Sequence, residues 1–153
     1  VFVDTSVLCE LVAVPGKSQR SEEVRAELRQ RASAGEQFVL PVTAVIETGN
    51  HIAQARTGDR HAAAGRFVAL LQAVLAGDRS FRLHQFSWDA AFLQALCDGD
   101  SSGATFMQWA GTGQMGGGDI GILVERDRFV ERSSLSRAEV GIWTLEAVLG
   151  AYA

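Results

Sequence analysis

Short apolar runs alternate along the chain with longer stretches whose apolar residues recur at helical spacing. Val1–Val3 is apolar throughout and predicts a short buried strand. Thr5 or Ser6 is placed to cap a helix that runs to about Ala13 and that Pro15 and Gly16 end. Ser18 or Ser21 opens a second helix, SEEVRAELRQRASAG, with Val24 and Leu28 on its apolar stripe and Gly35 as its stop. Phe38–Val42 predicts the second strand, with Thr43 capping the helix TAVIETGNHIAQAR. TGDRH reads as a turn, HAAAGRFVALLQAVLAG as a long apolar helix, and the alternating FRLHQF as a strand. Trp88–Cys97 is helical, Asp98–Gly118 is polar, Gly-rich and irregular, and Asp119–Val130 is helical again. Val140–Thr144 is the last strand, and a short helix closes the chain.

Strands alternating with helices predict an α/β domain around a mostly parallel sheet. The 153 residues fit one domain, residues 1–153, and the 47% hydrophobic content supplies a sizeable core. The net charge of −4 disfavours a protein that holds nucleic acid by general electrostatic attraction, unless arginines cluster locally. Cys9 and Cys97 lack C-x-x-C spacing and read as buried free thiols, which suits a reducing, cytoplasmic compartment. The amino-terminal run carries Asp4 and Glu10 without a basic flank, so it does not read as a signal peptide. The longest apolar stretch, FVALLQAVLA, is too short to cross a bilayer, so no membrane association is expected.

Three patterns invite chemistry they do not support. GTGQMG, Gly111–Gly116, spells a dinucleotide fingerprint, but SSGATFMQWA before it makes a poor strand. DGDSSG, Asp98–Gly103, opens like a calcium loop, but the twelfth position holds Trp109 where a bidentate Glu belongs. His51, His61 and His84 lack zinc-ligand spacing, although His51 follows Glu47 by one helical turn and can share its face.

The carboxylates carry more. Asp4 directly follows the first strand, and Glu47 lies one turn into the helix after the second. Asp119 opens a helix after the Gly-rich run, and Glu146 follows the last strand. In an open parallel sheet the carboxyl ends of strands and the amino ends of the next helices share the functional edge, so all four acids map to one place. Crowded carboxylates repel unless a cation intervenes, and an all-oxygen site suits magnesium or manganese and phosphate-ester chemistry. Ser6 or Thr5 adds a hydroxyl there. The Gly-rich run reads as a loop that delivers Asp119, its glycines allowing positive φ and close approach.

VFVDTSVL, LPVTAVIETGNHIAQ, GGGDIGILVERD and VGIWTLE, in that order, resemble the four acidic motifs of the PIN domain family, whose members include VapC-type toxins. The resemblance runs from Val1 to about Leu149. It implies a three-layer α/β/α sandwich and a Mg²⁺- or Mn²⁺-dependent endoribonuclease, the toxin of a toxin–antitoxin pair. Asp4, Glu47 and Asp119 match the first three acids, as catalytic residues and metal ligands. Glu146 takes the fourth place, in a T-L-E context where the family usually has T-x-D. The implied partners are an RNA substrate, an antitoxin protein and a second copy of the chain in a homodimer. Arg25 and Arg29, on the second helix, and Arg126, after Asp119, are candidate RNA contacts beside Ser6, against the plainer reading of solvated, ion-paired faces. The apolar helix between Arg66 and Leu75 is either a core helix or one wall of a partner groove whose other wall is the Glu47 helix. A haloacid-dehalogenase-type phosphatase needs D-x-D where Ser6 stands. The open alternatives are a PIN-like domain that binds RNA or protein without cutting, and a flavodoxin-like ligand binder.

Overall fold

The computed structural model describes residues 1–56, 58–77 and 80–152. The first residue of the predicted TGDRH turn, Thr57, lies outside them. Four short strands, β1 (Phe2–Val3), β2 (Phe38–Val39), β3 (Phe81–Arg82) and β4 (Ile142–Trp143), pair in parallel in the order β3-β2-β1-β4. Eight α-helices flank them among the described residues: α1 (Thr5–Leu11), α2 (Ser21–Ser33), α3 (Val42–Gln54), α4 (Arg60–Leu75), α5 (Ala90–Asp98), α6 (Phe106–Thr112), α7 (Gly117–Arg132) and α8 (Ala147–Gly150). The architecture is the α/β fold around a parallel sheet that the alternation of elements predicts, flanked by helices as the resemblance to the PIN domain family implies. None of the helices is long and apolar enough to cross a membrane.

β1 is central because its residues face helices on both sides. Phe2 and Val3 are wholly buried, as a strand covered on both faces requires. Aromatic rings knit the sheet together: Phe38 lies 5.6 Å from Phe81 and 5.8 Å from Trp143, and Phe2 meets Phe129 of α7 edge-on at 5.6 Å. Bonds outside the formal strands extend the pairing. The Phe2 N–H donates to the Gly141 carbonyl and the Asp4 N–H to that of Trp143. Asp4 and Thr144 therefore leave adjacent strands at the same edge.

Several element ends differ from the sequence reading. Asp4, and neither Thr5 nor Ser6, caps α1, because its carboxylate takes the Thr5 and Ser6 N–H groups. The second strand stops at Val39, since Pro41 turns the chain into α3. Thr43 is inside α3, whose first N–H groups are taken by the Glu125 carboxylate of α7. The region expected to be irregular contains α6, nucleated by a capping box between Thr105 and Gln108. Asp59 and Asp89 cap α4 and α5. Helix α4 is not a core helix: it buries Ala63 and Val74 but exposes Val68 and Leu75, and it borders a groove of about 440 Å³ against α3.

Candidate active site

Asp4, Glu47, Asp119 and Glu146 line one cavity of about 420 Å³ at the carboxyl edge of the sheet, with Ser6, Lys17 and His51. They arrive from four separate elements. Asp4 directly follows β1 and is 3% exposed. Its Oδ1 accepts the Thr5 N–H at 2.6 Å, and its Oδ2 accepts the Ser6 hydroxyl at 2.5 Å, the Thr144 hydroxyl at 2.8 Å and the Ser6 N–H at 3.2 Å. The Ser6 Oγ in turn accepts the Leu145 N–H at 3.0 Å, and Thr144 Oγ1 accepts the Glu146 N–H at 3.0 Å. This lattice ties the start of α1 to the segment that carries Glu146.

Glu47 sits on α3, and its Oε2 accepts the Thr5 hydroxyl at 2.8 Å. Thr5 thus spans the first two acids, its N–H on Asp4 and its hydroxyl on Glu47. Asp119 lies in the first turn of α7 and reaches back to the Gly116 N–H at 2.7 Å. Burial pushes the Asp119 carboxyl above the usual carboxylate range; the Gly116 N–H pulls it back, while the charges of Asp4, Glu47 and Glu146 push it further up. Glu146 occupies the position before α8, is exposed, and makes no side-chain capping bond. Among the described residues, no three acidic, histidine or cysteine side chains converge as tightly as the ligands of a bound cation. The carboxylates ring the cavity, and Asp4, Glu47 and Asp119 are each held by a protein donor. The donor set of carboxylates and the Thr5 and Ser6 hydroxyls fits Mg²⁺ or Mn²⁺ in chemical type.

The glycines before Asp119 act differently from the sequence expectation. None of Gly116, Gly117 and Gly118 has positive φ. Gly118 instead makes room for an acid: a Cβ there would lie 2.2 Å from Glu47 Oε2. Gly117 has nothing within 4 Å. The apparent dinucleotide fingerprint is a helix stop and a helix start, with Gly113 ending α6 in the left-handed region and Gly116 preceding α7. The apparent calcium loop closes on itself, with the Ser102 hydroxyl donating to the Ala104 carbonyl and accepting from Trp109.

A search against protein-family models, curated proteins and solved structures found no match.

Packing places the three candidate arginines outside the cavity wall. Arg126 is 4% exposed and committed to Asp127 and the Tyr152 carbonyl, because it lies on the inward face of α7. Arg25 spends its guanidinium on the Leu11 carbonyl and Glu22, and exposed Arg29 is not in the cavity wall. Among the described residues, the Lys or Arg side chain that lines the cavity is Lys17, the one lysine of the chain, which no linear pattern singled out. His51 also lines it, as its spacing from Glu47 allowed; burial and Lys17 lower its affinity for a proton, and Glu47 opposes them. Thr144 had a signal, two residues before Glu146, that points to it only once the strand partner is known.

Proposed function

We propose that the chain is a Mg²⁺- or Mn²⁺-dependent endoribonuclease that hydrolyses RNA phosphodiester bonds in the cytoplasm, as the toxin of a toxin–antitoxin pair. The observation that carries this reading is the meeting of Asp4, Glu47, Asp119 and Glu146, far apart in sequence, around one cavity. It agrees with the resemblance of the four surrounding motifs to the PIN domain family.

Asp4 and Asp119 would hold the ion, and Glu47 and Glu146 would contribute less directly. When bound, the ion supplies Lewis acidity and an acidified water for attack on phosphorus. The chain's own residues prepare the place. Ser6 and Thr144 fix the Asp4 carboxylate, Thr5 orients Glu47, and the Gly116 N–H fixes Asp119. Such orienting bonds keep ligand geometry from relaxing as charge develops. The α3–α4 groove, lined by Ile52, Phe67 and Val68, supports a protein partner, as an antitoxin or a second copy would require.

The test is cleavage of a panel of single-stranded and structured RNAs with Mn²⁺ and with EDTA, beside thermal melts. Cutting that needs the cation, a Mn²⁺-dependent rise in Tm and loss of both in Asp119→Asn are expected. RNA binding indifferent to Mn²⁺, without products, would instead identify a binding module.

A further inference from the structure

Lys17 stands apart from the other cations. It is exposed and lines the acidic cavity, yet it forms no ion pair with any carboxylate among the described residues. Its ammonium acts electrostatically on Cys9 and His51, deeper in the same wall. A lysine that lines an acidic cavity and pairs with none of its carboxylates among the described residues leaves its ammonium open to a ligand.

The loop that carries it is built rather than loose. Glu10, 5% exposed, accepts the Gln19 N–H at 3.0 Å, the Arg20 N–H at 2.9 Å and the Ser21 hydroxyl at 3.1 Å. Arg66 of α4 donates to the Val12 carbonyl at 2.7 Å and to that of Ala13 at 3.2 Å. Val14 is wholly buried, the Lys17 N–H donates to its carbonyl, and Ala13 and Gly16 take positive φ to close the turn. A Cβ on Gly58 would lie 2.7 Å from Pro15 Cβ, so a second loop abuts the turn. Packing and a buried carboxylate therefore fix where the lysine stem begins.

We propose that Lys17 binds substrate, its ammonium taking a non-bridging phosphate oxygen of the RNA strand beside the carboxylates. This rests on the nuclease reading above. The carboxylates repel a polyanion even when a cation offsets part of their charge, and one ammonium at the rim supplies the missing attraction as a point charge.

Binding of a fluorescent single-stranded RNA oligonucleotide is measured by anisotropy across a KCl series, with Ca²⁺ as the cation, for wild type, Lys17→Met, Lys17→Arg and Arg132→Met. Arg132 is exposed on α7 and about 20 Å along the helix from Asp119, so it controls for lost net charge. Lys17→Met is expected to bind about tenfold more weakly, as loss of one charged hydrogen bond requires. Its log–log salt dependence should be shallower by about 0.7. Lys17→Arg restores most of the affinity, Arg132→Met matches wild type, and the Mn²⁺ shift in Tm is unchanged in all. Unaltered RNA affinity and slope in Lys17→Met, with a larger Mn²⁺ shift, would make Lys17 a counter-charge to the acids and overturn the proposal alone. Wild type that binds no RNA with Ca²⁺ or with Mn²⁺ overturns the nuclease reading and this proposal together.

Discussion

Two aspartates in one cavity face opposite energetics. Asp4 accepts four hydrogen bonds and caps α1, so its charge is matched by donors. Asp119 has one backbone donor against burial and three neighbouring negative charges. Asp4→Asn should therefore lower the stability of the metal-free protein by about 1–2 kcal/mol, through lost charge-assisted bonds. Asp119→Asn should leave it level or raise it. The pH dependence follows from the sign of the shift. A raised folded-state pKa means that the folded protein binds the Asp119 proton more tightly than the unfolded chain does. Its contribution is present below the ordinary carboxylate value and is lost as pH rises through the raised one. The advantage of Asp119→Asn over wild type should thus be larger at neutral pH than below the ordinary carboxylate value, in urea melts with EDTA. The cysteines divide as sharply. Burial pushes the Cys9 thiol up to about 11, whereas Cys97 is exposed. A thiol reagent at neutral pH should modify Cys97 rapidly in the native protein, and Cys9 only after denaturation.

At the scale of elements, α7 sets two acids at once. Its first turn carries Asp119, and two turns on, wholly buried Glu125 takes the Val42 and Thr43 N–H groups, the Thr43 hydroxyl and His84. Glu125 thereby caps α3 from outside and holds the helix on which Glu47 sits. Glu125→Ala should cost about 3 kcal/mol in denaturant unfolding, because buried N–H groups are left without an acceptor. Gly118 is the contact point between the two helices at the site. Alanine suits a helix better than glycine, so Gly118→Ala should keep stability within about 1 kcal/mol of wild type. Its Cβ would nevertheless meet the Glu47 carboxylate and displace it. Displacement of order 1 Å predicts activity down by roughly a hundredfold in single-turnover RNA cleavage. Gly117→Ala, with open space around its Cβ, should cut at nearly the wild-type rate.

At the scale of the molecule, a chain of net charge −4 gathers negative charge where a polyanion is proposed to bind. RNA affinity should then fall steeply with EDTA as well as with salt, measured by anisotropy. The same geometry ranks the acids. Asp4 leaves the central strand and Asp119 is fixed by α7, so their asparagine variants should lose orders of magnitude in cleavage. Glu47→Gln should be intermediate, since the Thr5 bond survives in part. Glu146→Gln should lose least, because that side chain is exposed and holds no cap. A dead Glu146→Gln beside a fully active Asp119→Asn would move the site elsewhere.

Local patterning determined the alternation of strands and helices, the all-apolar strand before Asp4, the positions of Asp4, Asp119 and Glu146 at element ends and that of Glu47 one turn into a helix. Such features depend on period and on chain direction, which residues carry by themselves. The Glu47–His51 spacing was equally legible, being one helical turn. Only tertiary structure decided which donors serve each acid. Glu125 capping α3, Thr144 reaching Asp4 and Thr5 reaching Glu47 join residues 83, 140 and 42 positions apart. It also decided which cations face the cavity. Arg126 and Lys17 have similar charge in the sequence, but α7 turns the first into the core, and a loop closed by Glu10 carries the second to the cavity rim. The direction of a side chain depends on what its element packs against, and that information is distributed over the whole fold.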